Sequence, residues 1–327
     1  WKYTNGIGEP GGVAFYSGGI YSGGQTGDNF NLEKTSKAGN LEWDKFIESD
    51  KPAKVNDVTV NPNNGDVYMV GWAEAKVGIQ THHGKKDILL AKFDKNGENQ
   101  WVKLVGDSDP DVAHGVTIDP NTGDIFVSGG TQSSFGGETN KGSWSPFLMR
   151  YSSAGVQKWV RIFGPGSTGG ARGVAYDAKR DAVYVGGDTT GAFGGQTNKG
   201  DFDGFLVRYK SNGKRQWVRI FGTKSREIRF WPDVDEATGD IYLAGRSSGD
   251  FGGKTNSGGN DIALAKYNAK GKQQWMRLRG TSSDDVALDI TKDPDTSDFY
   301  VVGWTEGDLG GNGNAGGKDA YITRLKE

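Results

Sequence analysis

Cysteine is absent from this sequence. That excludes disulfides, thiol catalysis and cysteine-based zinc sites, and leaves the compartment open. No apolar run is long enough for a membrane-spanning helix, so no membrane insertion is expected. Long helices have no room either, because no stretch free of both Gly and Pro exceeds the thirteen residues of 281–293. Neither sign of charge dominates: 39 basic and 41 acidic residues are interspersed, for a net charge of −2. A nucleic acid or an anionic membrane needs a basic face that neutralises several phosphates, and both partners are set aside. No Asn-x-Ser/Thr sequon occurs, so glycosylation gives no clue to location. The chain opens at Trp1 without Met or an apolar leader, which suggests a processed protein or an excised domain.

What the chain has in excess is glycine, 54 of 327 residues, about twice the usual share. It also has a repeat. Trp43, Trp101, Trp159, Trp217 and Trp275 are evenly spaced, one every 58 positions. Gly39, Gly97, Gly155, Gly213 and Gly271 each lie four residues before one of them. A fixed period of this length marks one supersecondary unit stacked many times. Between Trp159 and Trp217 the unit reads as four β-like runs, 159–163, 172–177, 183–188 and 204–209, separated by turn chemistry such as Asn212-Gly213. Each unit is therefore expected to be a four-stranded antiparallel meander.

Strands that are apolar on both alternating faces, as at 159–163, need cover on both sides. Radial packing of meanders into a β-propeller supplies it. Trp1-Lys-Tyr looks like a sixth Trp strand, and the last unit ends without one. Pairing the two would close the array and remove its free edges. The expectation is an all-β, single-domain (1–327) propeller of six four-stranded blades: about 11–47, 53–105, 111–163, 169–221, 227–279, and 285–327 completed by residues 1–5. The first blade lacks a long loop that the others carry between their second and third strands, as in Phe135-Gly-Gly-Glu-Thr-Asn-Lys-Gly142 and Phe193-Gly-Gly-Gln-Thr-Asn-Lys-Gly200.

The strings Gly280-Thr-Ser-Ser-Asp-Asp-Val-Ala287, Asp298-Phe-Tyr-Val-Val-Gly-Trp-Thr305 and Gly317-Lys-Asp-Ala-Tyr-Ile-Thr-Arg324 resemble the SBBP β-propeller repeat of microbial surface and secreted proteins, and the likeness runs over nearly the whole chain. It implies a propeller fold, nominally of seven blades against the six counted here. It also implies an extracellular or cell-surface setting, and it brings no catalytic residues.

Candidate chemistry competes with plain structure at several places. Asp87, Asp203, Asp261 and Asp319 recur at multiples of 58 with Ser145 in the remaining slot. They read as strand-starting acceptors of backbone N–H groups rather than calcium ligands, because Ser145 breaks the series and no Asp-x-Asp-x-Asp-Gly spacing is present. No metal or cofactor is expected, calcium being the alternative. Basic residues nine before the Trp positions (Lys34, Lys92, Arg150, Arg208, Lys266) and two after are expected to lie over the Trp rings. His82, His83 and His114 are the only histidines, His82-His83 lies in a loop without nearby carboxylates in sequence, and a catalytic role is not expected.

The residues that break the repeat are the better lead. After the shared glycine of the second strand comes Trp72, Gly130, Asp188, Arg246 or Trp304. Trp72 and Trp304 are each followed two residues on by a glutamate, Glu74 and Glu306, and they flank the blade with the short loop. A groove walled by these four residues is expected to bind carbohydrate, since aromatic faces beside carboxylates suit sugar rings, or a protein partner. Arg229-Phe230-Trp231, where other blades carry Gly or Asp, is a second expected contact patch or a plug for the central channel. The functional expectation is a non-catalytic extracellular binding or scaffold module. A structural subunit of a surface assembly and a glycan-acting hydrolase are the alternatives.

Overall fold

A computed structural model describes residues 11–165, 168–293, 296, 298–311 and 313–326. The chain divides into two compact units, Trp1–Phe163 and Gly164–Glu327, each described by itself. Among the described residues every regular element is a strand. The first unit holds β1 (Val13–Tyr16), β2 (Gly19–Thr26), β3 (Asn29–Ser36), β4 (Leu41–Ile47), β5 (Ala53–Val60), β6 (Val67–Ala73), β7 (Asp87–Phe93), β8 (Asn99–Val105), β9 (Asp111–Ile118), β10 (Ile125–Thr131), β11 (Ser145–Tyr151) and β12 (Gln157–Ile162). The second holds β13 (Gly169–Asp177), β14 (Ala182–Thr189), β15 (Asp203–Tyr209), β16 (Arg215–Phe221), β17 (Glu227–Asp235), β18 (Asp240–Ser247), β19 (Asp261–Tyr267), β20 (Gln273–Arg279), β21 (Asp285–Lys292), β22 (Phe299–Thr305) and β23 (Asp319–Leu325).

Consecutive strands pair antiparallel into six meanders, three in each unit. Five have four strands, and β21–β23 has three. The fold class is that of a six-bladed β-propeller. The strand expected to complete the sixth blade falls on residues 1–5, outside the described residues.

The interior lies between blades. Along β6, Val67 and Met69 face the first blade beside Tyr21, Phe30 and Leu32. The alternate residues Tyr68 and Val70 face the third blade beside Val116, Val127 and Met149. The period of two thus sends one strand into two cores, which explains the continuous apolar runs. The second unit repeats this: Leu243 packs with Leu206 and Phe230, while Tyr242 and Ala244 pack with Ile290 and Phe299.

The repeating Trp residues are half-buried wedges. Their rings lie tilted or edge-on to the second-strand aromatic of their own blade, at centroid distances from 5.9 Å (Trp43–Tyr21) to 6.1 Å (Trp217–Tyr184). The glycine four residues before a Trp serves the preceding blade. Gly155 has φ +75°, and a Cβ there would lie 3.1 Å from the Trp101 ring. Trp101 Nε1 donates to Ser153 O in that same turn (3.1 Å). The basic residues divide the work differently from the expectation. The arginines two after a Trp do lie over it, Arg277 over Trp275 at 4.2 Å and Arg219 over Trp217 at 5.1 Å. Those nine before it lie instead over the second-strand aromatic, Lys92 over Tyr68 and Arg150 over Phe126. Register alone does not decide this, since Lys92 faces both Tyr68 and Trp101 across the strands; Asp66, 2.7 Å from the ammonium, holds it on the Tyr68 side.

Candidate functional site

Blade-to-blade connections and long loops leave from the same end of each sheet. In the fourth blade Thr189, at the end of β14, faces both Gly169 at the start of β13 and Asp203 at the start of β15. The position after the second-strand glycine lies at this end. Four residue types occupy it at the five positions 72, 130, 188, 246 and 304, and the structure shows how each is partnered.

Trp72 is half-buried, with Lys86 Nζ 3.7 Å from its ring centroid. Glu74 lies 3.5 Å from the same ammonium. Trp304 is half-buried under Lys318 at 4.1 Å, while Glu306 is exposed. Both rings therefore give one face to a lysine of their own blade. Trp72 belongs to the first unit and Trp304 to the second. In the third blade the pair is inverted. Gly130 leaves room that Trp144 fills, a Cβ on the glycine falling 2.0 Å from the indole nitrogen. Trp144 occupies the slot that Lys86 and Lys318 occupy elsewhere, at the same fixed offset after the variable position. Reading the two slots together would have found it from sequence.

In the second unit the same position carries Asp188 and Arg246, and here Arg229-Phe230-Trp231 finds its explanation. Inner strands carry one bulge, at Asn56, His114, Arg172 and Leu288, each skipped in the register. In β17 the register shift is still one residue, but the pairing beside the bulge is lost as well, so that Arg229, Phe230 and the facing Gly245 are all skipped. Arg229 adopts φ +61°, and the turn exchanges the two side chains. Phe230 goes fully inside against Phe221, rings 4.8 Å apart and T-shaped, while Arg229 goes out to solvent. Phe230 is thus core, not contact surface, because the apolar ring gains more from the interior than from water. Trp231 is half-buried beside Gly173 of the neighbouring blade.

The Arg229 backbone N–H donates to Asp188 Oδ1 (2.9 Å), the oxygen that also accepts from Arg172 Nε (2.9 Å). Although Arg229 is exposed as a residue, desolvation by the protein around its guanidinium, and then the nearby Arg172 guanidinium, lower its pKa. Burial, then Arg229, lowers that of Arg246. Arg246 Nε is buried without a hydrogen-bond partner.

A third polar system runs between blades. Asp87, Asp203, Asp261 and Asp319 accept backbone N–H groups four residues upstream through Oδ2, from His83 (2.7 Å), Lys199 (2.6 Å), Ser257 (2.7 Å) and Ala315 (2.6 Å). The strand-start role is therefore present, but it is half the picture. Oδ1 of Asp87, Asp203 and Asp261 is buried without a partner. Each faces an acid at the start of the next inner strand: Asp111, Glu227 or Asp285. A methyl built on Gly222 would lie 2.4 Å from Asp203 Oδ1 and 2.6 Å from Glu227 Oε2, so both oxygens turn to one point. Where Asp is missing from the series, so is the second acid: at the same offset Ser145 is followed by Gly169, and Asn29 by Ala53. The pair comes and goes as a unit, a signal that the repeat carries and that the strand-start reading overlooks. Among the described residues no group of three or more His, Asp or Glu side chains could hold a metal. The fold also corrects the reading of His82, whose Nε2 lies 4.0 Å from Asp87 Oδ1 and 3.2 Å from Ala73 O.

Known proteins share this architecture. Residues 100–136 match the SBBP β-propeller repeat. The chain is 26% identical to the regulatory protein FlaEY of Caulobacter vibrioides over 57% of its length, and covers 22% of that relative. A protein structure from Lactobacillus plantarum superposes with a TM-score of 0.58 at 12% identity, covering 98% of this chain and 89% of that one. The Dos1 propeller gives 0.49 at 9% identity, over 88% and 63%. The chain thus spans less than a quarter of the curated relative, and the structural likeness speaks to fold.

Proposed function

We propose that this chain is a non-catalytic binding module of the extracellular or cell-surface kind, whose loop end docks a protein partner. One observation carries the reading. Residues that build the blades repeat every 58 positions, whereas Trp72, Asp188, Arg246, Trp304 and Arg229 depart from the repeat and sit at the end of the blades that bears the long loops. A constant scaffold with its variety gathered at one end is how rigid folds present recognition residues. The regulatory role in the name of the Caulobacter relative fits a module that binds rather than transforms. Carbohydrate is the second reading, favoured by the Trp72–Glu74 and Trp304–Glu306 pairs. The lysine over each ring removes one of the two stacking faces a sugar would use, so the protein partner is preferred.

The test pairs Trp72→Ala and Trp304→Ala with Trp159→Ala. Binding to a partner or to an immobilised glycan panel is read by surface plasmon resonance, and stability by thermal melting. Each of the first two variants is expected to weaken binding by about 2 kcal/mol or more. The third is expected to cost about 3–5 kcal/mol of stability. Equal destabilisation by all three would make Trp72 and Trp304 framework and overturn their role. Binding confined to glycans would replace the protein partner by the second reading, and turnover of a glycan substrate would overturn the non-catalytic assignment.

A further inference from the structure

We propose that Arg172, Arg229 and Arg246, at the loop end of the second unit, form a binding site for an oxyanion, a carboxylate or phosphate group carried by a ligand. The proposal rests on the functional reading above only in using the same end of the blades. Three observations converge on it. First, β17 departs from the other inner strands in both sequence and backbone. Beside its bulge the pairing of Arg229 with Gly245 is lost, and a non-glycine residue, Arg229, takes φ +61°. Bulges and left-handed non-glycine residues re-aim side chains at a cost in strain, and they gather at working sites. The residue re-aimed is Arg229, turned outward while Phe230 takes the interior place. Second, the guanidiniums repel one another: Arg172 opposes the charge on Arg229, and Arg229 with Arg226 opposes that on Arg246. Folding brings like charges together only where something else holds them, and a bound anion reverses the sign of that interaction.

Third, the available acids leave donors over. Asp188 is taken by Arg172 Nε and by the Arg229 backbone N–H, both at 2.9 Å on Oδ1. Asp284 is taken by the Asn260 backbone at 2.7 Å and its side-chain amide at 3.0 Å. Arg226 is paired with Asp201 at 3.3 Å. Arg246 Nε–H, shut off from water, has no acceptor. A guanidinium presents five donors in a planar fork that matches two oxygens of a carboxylate or phosphate. An oxyanion here would complete the Arg246 donor set and supply the charge that Asp188 and Asp284 leave wanting.

The test titrates the intact chain with sodium phosphate and with sodium glutarate, against sodium chloride at matched ionic strength. Melting temperature and the Nε–H proton resonances of arginine are followed. Saturable stabilisation by either anion, with a shifted Arg246 Nε–H signal, is the expected result. Phosphate as the tighter ligand assigns a phosphoryl source, and glutarate as the tighter one an acidic side chain. Arg229→Gln and Arg246→Gln should each lose at least tenfold in affinity, while Arg277→Gln, over Trp275, should lose nothing. An effect no larger than that of chloride, or unchanged affinity in both glutamine variants, would overturn the site. Partner binding through Trp72 and Trp304 would survive that failure, which keeps the two proposals separable.

Discussion

Asp203 and Glu227 are both shut off from solvent, and two neighbouring carboxyl groups in such surroundings resist losing both protons. A proton on Asp203 Oδ1, donated toward Glu227, gives the orphaned oxygen a role. In the other two pairs the raised group is Asp111, beside Asp87, and Asp261, beside Asp285. Burial first, opposed by hydrogen bonds from Thr131 and Asp107, sets Asp111 at about 6, with the charge of Asp87 adding to the rise. Asp203 and Asp261 are raised for the same leading reason. The sign follows from proton counting. With the folded value above the unfolded one, the folded state holds more protons in between, so stability falls as pH climbs from about 4 to about 6 and then levels. Asn in place of Asp87 keeps the acceptor for His83 and puts an N–H where the lone oxygen was, so it should do permanently what the proton does. The gain in melting temperature of Asp87→Asn over the parent should therefore grow between pH 4 and 6 and stay flat above. A difference independent of pH would remove the shared proton. Asp203→Ala, which strands the Lys199 N–H, should instead cost about 1–3 kcal/mol at every pH.

At the scale of the element, β17 shows what one left-handed residue beside a bulge does. It lets an apolar and a charged side chain trade places, and Gly204 and Gly245 make the room, since a Cβ on either would meet the Phe230 ring at 2.7 and 2.9 Å. Phe230→Ala should cost about 3–5 kcal/mol by cavity formation. Arg229→Gly, which relieves a left-handed residue of its Cβ, should change stability by no more than about 1 kcal/mol in either direction. Chemical denaturation distinguishes the two. A large loss in Arg229→Gly would mean that its side chain supports the fold. The turn before each Trp is the other element to probe. Gly155→Ala must place a methyl at φ +75° and 2.7 Å from Lys103 Cε. It should lose more than about 1 kcal/mol, because strain and crowding act together.

For the whole molecule, the sequence assigns residues 1–5 the part of a closing strand for the last blade. Deleting them should lower the melting temperature of the entire chain, since it would leave two strand edges unpaired. An unchanged transition would reject closure by Trp1. Chelation is the complementary measurement. A cation bound only by the folded state would stabilise by about 2.7 kcal/mol at a hundredfold excess over its dissociation constant. EDTA is expected to leave the transition where it is. A drop of several degrees would place a cation, rather than a proton, between the carboxyl pairs.

The blade plan was legible from residues alone because it is periodic. Evenly spaced Trp, glycine four places earlier and strands apolar on both faces leave few architectures in which every face is covered. The six-blade count and the strand-starting role of Asp87 and its repeats follow from that spacing. What only tertiary structure decided are contacts between residues far apart in sequence or set by backbone detail. Ion pairs with Asp66 and Asp124, not register, put Lys92 and Arg150 over Tyr68 and Phe126. A bulge with one left-handed residue buried Phe230 and exposed Arg229, reversing what their order in the strand suggests. Lys86 and Lys318 covered the rings of Trp72 and Trp304, which spacing alone left bare. The acid at each blade start met the Asp of the blade before because packing closes a separation in sequence that no strand or turn spans.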